Sequence, residues 1–426
     1  MRRPSLHRFA PTGTLQQIVL LGVLAVAGWL TLRLAQVPAT STSRLWGTVY
    51  LVVGINTDER LDSGLREQAA EALERFSSDF RELHPGVAIQ VMTFPEEHLV
   101  RELRLRKQSG LGPDLMLVNS RTALELQRLN LSRIEDFPAE KLFQIEPDML
   151  NRLRLSNGRL AGLPFLQLPQ VACFNRDRLP NGSPDSLDAL LQLSGQGVRI
   201  GLSTHTLNLF WTVGGLGASE ALLATQGDQP LSPQQLQGLE RWLAWLQNAS
   251  LQQGITFHDK QELLIQKLAS GQLDWISCRS SNLNVLRQSL GASLGVARLP
   301  GGRWGQATPI NRERVLAFGL NSSPNQRQIA RELASFGINP LVQRNLTIRN
   351  MEMLPVNRFV PAPVASSTVL AAMVGSAEDS EQATPVIRAL IGNEKAVSAL
   401  DSMISKVLFT ELTPSRAAQI LPAALR

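Results

Sequence analysis

The chain has 426 residues, 43% hydrophobic and 18% charged, enough length and apolar content for two or more cores and too apolar for disorder. Its formal charge is +6, but Arg2, Arg3, Arg8 and Arg33 lie within the first 39 residues, which hold no acid, leaving +2 for the rest. That balance excludes no partner by itself, yet the basic patches with interleaved aromatics that track nucleic acid are absent. The cluster Arg101, Arg104, Arg106 and Lys107 reads as a solvated helix face.

A basic start, the apolar run from Ile18 to Leu32 broken only by Thr31, and the polar Thr40-Ser41-Thr42-Ser43 form an export signal. Val37-Pro38-Ala39 offers small residues to a signal peptidase, while the length of the run fits both a cleaved signal and a short spanning helix. Residues 1–39 are thus a signal peptide or an N-terminal membrane anchor. The expected location is periplasmic or extracytoplasmic, either soluble or tethered to the inner membrane. No cysteine precedes Cys173, which excludes lipid attachment just after the signal. Cys173 and Cys278, in a compartment that permits disulfides, are either bridged or two buried thiols.

Tyr50 to Ile55 is a continuous apolar run, the mark of a strand buried on both faces. Leu65, Ala69, Leu73, Phe76, Phe80 and Leu83 then recur at intervals of three and four, a helical stripe stopped by His84-Pro85-Gly86. Val87, Ile89 and Val91 alternate as a strand, a helix follows through Leu99 and Leu103, and Gly110-Leu111-Gly112-Pro113 leads into a buried strand from Leu115 to Val118. This β-α-β-α-β order predicts a doubly wound α/β lobe whose ligands bind beyond the strand carboxyl ends. Asn56, Thr57 and Asp58 follow the first strand, and Asn119, Ser120 and Arg121 follow the third. Arg279 and Ser280 follow a later strand spanning 273–278. Ser232-Pro233, Ser323-Pro324 and Thr413-Pro414 mark helix starts, with Gln235 and Gln326 completing capping boxes in the first two. Trp242 and Trp245 share a helix with Leu239, Leu243 and Leu246 and read as packing residues, and the stretch from Pro361 to Ser376 reads as a loop or loose connection.

The familiar catalytic sets are missing: no G-x-S-x-G, no phosphate-binding loop, no dinucleotide fingerprint after a strand and no H-E-x-x-H. The five histidines, at 7, 84, 98, 205 and 258, never pair at ligand spacing, so neither a metal nor a cofactor is expected and His205 reads as structural. The glycines from Gly214 to Gly217 read as close packing, and Asp114 as structural.

Ordered stretches over residues 48–426 resemble the maltose-type family of extracellular solute-binding proteins. Phe80-x-x-x-His84-Pro85-Gly86-Val87 resembles its helix-to-strand passage and Gly112-Pro113-Asp114-Leu115 its entry to the third strand. Asn157 to Pro164 (NGRLAGLP) resembles a further family segment, and Val171 to Asp177 (VACFNRD) the one where the chain crosses into the second lobe. Gly271 to Asp274 and Met353 to Val356 are similar to later family strands and turns. Asp274, Cys173 and Phe174 depart from the pattern, and aromatics are few.

The resemblance implies a periplasmic-binding-protein type II-like fold, two doubly wound α/β lobes joined by a multi-strand hinge. Residues 48–164 plus 317–352 would form lobe 1, and 168–312 plus 356–426 lobe 2. It implies capture of a small polar ligand, a carbohydrate, by a monomer that delivers it to ABC importer permease subunits, without catalysis. Trp211 falls where the family often presents a stacking aromatic, and Arg312 falls near the returning hinge. Two other functions stay open on the residues: a membrane-tethered sensor or assembly partner, and a secreted glycan-active enzyme.

Overall fold

A computed structural model describes residues 45–56, 63–227, 229–350, 352–391 and 393–425. The segment expected to direct export and the candidates Thr57 and Asp58 lie outside the described residues. Trp46–Arg426 is one compact unit. In chain order its strands are β1 (Trp46–Ile55), β2 (Gly86–Pro95), β3 (Leu115–Asn119), β4 (Leu163–Leu168), β5 (Gln170–Asn175), β6 (Ile200–Ser203), β7 (Ile255–His258), β8 (Trp275–Arg279), β9 (Leu294–Ala297), β10 (Arg312–Phe318) and β11 (Leu354–Pro355). They form two sheets, β11-β4-β10-β3-β1-β2 and β7-β6-β8-β5-β9.

β1 pairs in parallel with both β2 and β3, which requires crossover connections, and the helices Ser63–Leu83 and Glu96–Gln108 supply them. The apolar run of β1 buries Val49, Leu51 and Val52, while Phe76 and Phe80 bury the stripe of the first helix. β6 is likewise parallel to β7 and β8. The doubly wound pattern is confined to these parallel triplets. β10 runs antiparallel between β3 and β4, and β5 antiparallel between β8 and β9. The cause is the path of the chain: β4 and β5 are separated only by Pro169 yet belong to different sheets, β9 leaves the second sheet for β10 in the first, and β11 precedes a return to the second. Three such crossings leave opening and closing as the relative motion of least resistance.

Cys173 and Cys278 are bridged, with Cα atoms 5.9 Å apart on the neighbouring strands β5 and β8. Both capping boxes form: the Ser232 hydroxyl accepts from the Gln235 backbone N–H while the Gln235 side chain accepts from that of Ser232, and Ser323 and Gln326 repeat the exchange. Trp242 and Trp245 are buried, and Trp242 Nε1 donates to Thr212 Oγ1 at 2.9 Å. Asp114 accepts from the Tyr50 backbone N–H at 2.9 Å and so joins β1 to the entry of β3. The stretch expected to be a loose connection is corrected in its second half, where Thr368–Gln382 is a helix placing Leu370 and Met373 against Val171 and Cys173. Its alanine- and serine-rich composition hid those few apolar contacts. Gly319 is required by a close approach, since a Cβ there would fall 1.7 Å from the Pro113 carbonyl oxygen.

Candidate functional site

Because β1, β2 and β3 are parallel, their carboxyl ends share one edge, where Asn56 and Glu96 directly follow β1 and β2 and Asn119 ends β3. Arg314 reaches across this edge from β10, where it is in register with Asn119. It donates to the Gly54 and Leu117 carbonyls at 2.7 and 3.0 Å, to Asn119 Oδ1 at 3.0 Å and to Glu96 Oε2 at 3.3 Å. Glu96 also accepts from the Asn119 backbone N–H, and Asn119 Nδ2 donates to Asn56 Oδ1 at 2.6 Å. A planar guanidinium thus locks three strand ends together, as an ammonium could not. Gly54 makes the arrangement possible, since a Cβ would meet Glu96 Oε2 at 2.0 Å.

The second sheet carries a network of its own. Arg279, at the end of β8, donates to the Ile310 carbonyl at 2.7 Å and to Asn208 Oδ1 at 3.0 Å. Gln170 donates through Nε2 to the Asn208 carbonyl at 2.6 Å, and its backbone N–H donates to Asn311 Oδ1 at 2.9 Å. Asn311 Nδ2 and the Ser376 hydroxyl close the ring on the Ser376 and Gln170 carbonyls. At the crossing between the sheets, Gln167 Nε2 and Gln170 Oε1 are buried with no hydrogen-bond partner among the described residues. These are one amide donor two residues before Pro169 and one amide acceptor immediately after it, and leaving them unmet is costly.

A third cluster ties first-sheet elements to helices packed on the second sheet. Arg152 contacts Glu313 and Asp148 at 2.8 Å each and donates to the Ser380 carbonyl at 3.0 Å and the Thr384 hydroxyl at 3.2 Å. Complete burial pushes the Glu313 carboxyl up to about 7; Arg152 pulls it down, but Arg152 is shared with Asp148, which opposes that pull. Arg388 donates to the Arg154 carbonyl at 2.8 Å nearby.

The expected residues divide accordingly. Asn56 and Asn119 lie at the first edge and Arg279 in the network of the second sheet. Ser120 is buried, and Arg121 faces Glu394 at 3.6 Å. Ser280 is fully buried and its hydroxyl donates to the Glu352 carbonyl, a structural tie. Arg312 begins β10 opposite Leu168, next to the first crossing. Trp211 is a correction: it has no exposure, packs 5.8 Å from Trp275 in the core of the second sheet and presents no face to a solute. His205 holds Asp401, which also caps the Thr206 backbone N–H at 2.6 Å, in keeping with a structural role. Glu96 escaped the sequence reading although the strand-end rule that found Asn56 and Asn119 applies to it equally. Gln167, Gln170, Asn208 and Arg314 left no local signal, because strand pairing alone brings them together. Among the described residues no group of three or more His, Cys, Asp or Glu is placed to hold a metal.

The family model for bacterial extracellular solute-binding proteins matches residues 76–371, well over half the chain. The chain belongs to the bacterial extracellular solute-binding protein family. Solved structures share its fold at low identity. The GacH receptor of Streptomyces glaucescens GLA.O, studied unliganded and with acarbose, is 15% identical with a TM-score of 0.67, covering 90% of this chain and 98% of that one. The maltose/maltodextrin-binding domain of Bdellovibrio bacteriovorus bound to maltotriose is 16% identical with a TM-score of 0.64, covering 89% and 98%. A Thermotoga lettingae TMO transporter solute-binding protein bound with alpha-D-tagatose is 16% identical with a TM-score of 0.63, covering 89% and 100%. None of the curated proteins matches the chain in sequence. As a solute-binding protein of this family, the chain acts outside the cytoplasm.

Proposed function

We propose that this solute-binding protein captures a small carbohydrate or polyol between its two sheets and delivers it, as a monomer and without catalysis, to ABC importer permease subunits. The observation that carries this reading is the unmet amide pair at the crossing, Gln167 Nε2 and Gln170 Oε1. A vicinal hydroxyl pair supplies both an acceptor and a donor, as neither a purely anionic nor a cationic solute does. The sugars and acarbose in the structural neighbours support the same class. With Trp211 in the core, recognition rests on hydrogen bonds from Asn56, Asn119, Arg279 and the two glutamines rather than on ring stacking. In this reading residues 48–164 plus 317–352 form one lobe and 168–312 plus 356–426 the other.

The test is thermal unfolding of a chain starting at Thr40, stripped of carried-over solute and screened against sugars, polyols, amino acids, polyamines and organic anions. A saturable rise of the midpoint with a sugar or polyol is expected, because a ligand that binds only the native state stabilises it by mass action. Gln170→Ala should weaken that ligand about tenfold, the loss of one net hydrogen bond of about 1.4 kcal/mol. A shift with anions alone would assign a different solute class. No shift with any class would favour the tethered sensor or assembly partner.

A further inference from the structure

The amino-terminal ends of β1 and β2 lie at the end of the first sheet away from Asn56 and Asn119. Trp46 opens β1 in register with Gly86, just after the helix that ends at Leu83, and Asn325 donates to the Trp46 carbonyl at 2.7 Å. Phe318 closes antiparallel β10 at the same end. Trp46 is 70% exposed, Leu83 65% and Leu111 66%, three large apolar side chains at the start of β1, the end of the helix before β2 and the connection before β3. Lys107 ends its helix there and donates to the Asn130 carbonyl rather than to a carboxylate, and Arg128 ends the helix that follows β3. Arg327 stands in the first turn of the helix Pro324–Gly337. Arg128 and Arg327 make no ion pair among the described residues. Exposed tryptophan and leucine at the same end of a sheet as basic side chains is the composition of a surface that meets the headgroup layer of a membrane.

We propose that this end of the first sheet is a bilayer-facing surface: Lys107, Arg128 and Arg327 meet anionic lipid headgroups while Trp46, Leu83 and Leu111 enter the interface. The chain leading into Trp46 supports the choice of partner. Thirteen residues, 33–45, separate the apolar run ending at Leu32 from Trp46. Fully extended they reach at most about 45 Å, which bounds how far a retained anchor would let Trp46 stand from the lipid. That length argument rests on retention of the segment; the charge and aromatic arguments do not.

The test is flotation of the chain starting at Thr40 with vesicles. That piece contains the whole compact unit and its cores, and it has no anchor to mask the result. Vesicles of phosphatidylcholine with one third phosphatidylglycerol should carry the protein at 50 mM salt, and neither pure phosphatidylcholine nor 500 mM salt should. The triple variant Lys107→Glu, Arg128→Glu, Arg327→Glu should bind at least tenfold more weakly, and Trp46→Ser should also lose binding, each with an unchanged unfolding midpoint. Equal binding of the triple variant, or no preference for the anionic lipid, overturns the proposal. So does a dimer in sedimentation that Trp46→Ser dissolves, since the face would then meet a second copy. N-terminal sequencing of protein recovered from membranes tests retention separately: a start near Thr40 removes the tether and leaves the flotation result to decide the surface.

Discussion

Replacing Glu313 with glutamine isolates one buried ionisation at the junction of the two sheets. Glutamine keeps an oxygen for the 2.8 Å contact from Arg152, and Asp148 still neutralises that guanidinium. In the folded protein the Glu313 carboxyl titrates at about 7 against 4.5 for its ordinary value, because it is wholly buried and shares its cation. Between those two values the folded state holds one proton more than the unfolded state, so stability falls as pH rises. Below 4.5 both states are protonated and above 7 neither is, and the dependence flattens at each end. The span corresponds to about 3 kcal/mol, at about 1.4 kcal/mol per unit. Glu352, raised by burial to about 8, adds a slope of the same sign to both proteins, so the informative quantity is the difference between them. Urea unfolding at intervals from pH 4 to pH 8 should show Glu313→Gln gaining about 3 kcal/mol on the wild type, most of it between pH 5 and 7. A difference that stays constant across that range would mean that Glu313 ionises normally and that burial does not outweigh Arg152.

Other outcomes follow from the same structure. Trp211→Ala should lower stability by about 3–5 kcal/mol in denaturant unfolding, the cost of emptying a core site, with no selective loss of solute affinity once folded. Reduction of the Cys173–Cys278 bridge, or its replacement by two alanines, should cost up to about 4–5 kcal/mol, since it closes a loop of roughly a hundred residues; an unchanged midpoint in reductant would contradict the bridge. His205→Ala should cost more at pH 5.5 than at pH 8.5 by thermal midpoint. Its hydrogen bond to Asp401 raises the imidazole above its ordinary value, so the stabilisation is complete below 6.5 and is lost as pH rises through the raised value. The reverse order would place the proton elsewhere.

Much of the architecture is local and therefore legible in the chain. The strand β1, the helix ending at Leu83, the strand β2 and the hydroxyl-proline starts at Ser232 and Ser323 each depend on neighbours within a few residues and each formed, although Tyr50, Leu83 and Val91, read as apolar-face residues, are exposed. Asn56, Asn119 and Arg279 also lie at strand carboxyl ends as expected, because a parallel sheet puts those ends on one edge whatever the rest of the fold does.

What the chain alone did not decide was pairing at long range. Arg314 reaches Glu96 and Gly54 only because β10 returns antiparallel beside β3, about two hundred residues later, and the one-residue gap at Pro169 sets Gln167 and Gln170 on two different sheets. Trp211 has the same side chain in a cleft or in a core; its contact with Trp275, 64 positions away, chose the core. Helical and strand periodicity are properties of adjacent residues, whereas burial of a given side chain depends on which distant segment covers it, and that was decided by the three crossings between the sheets.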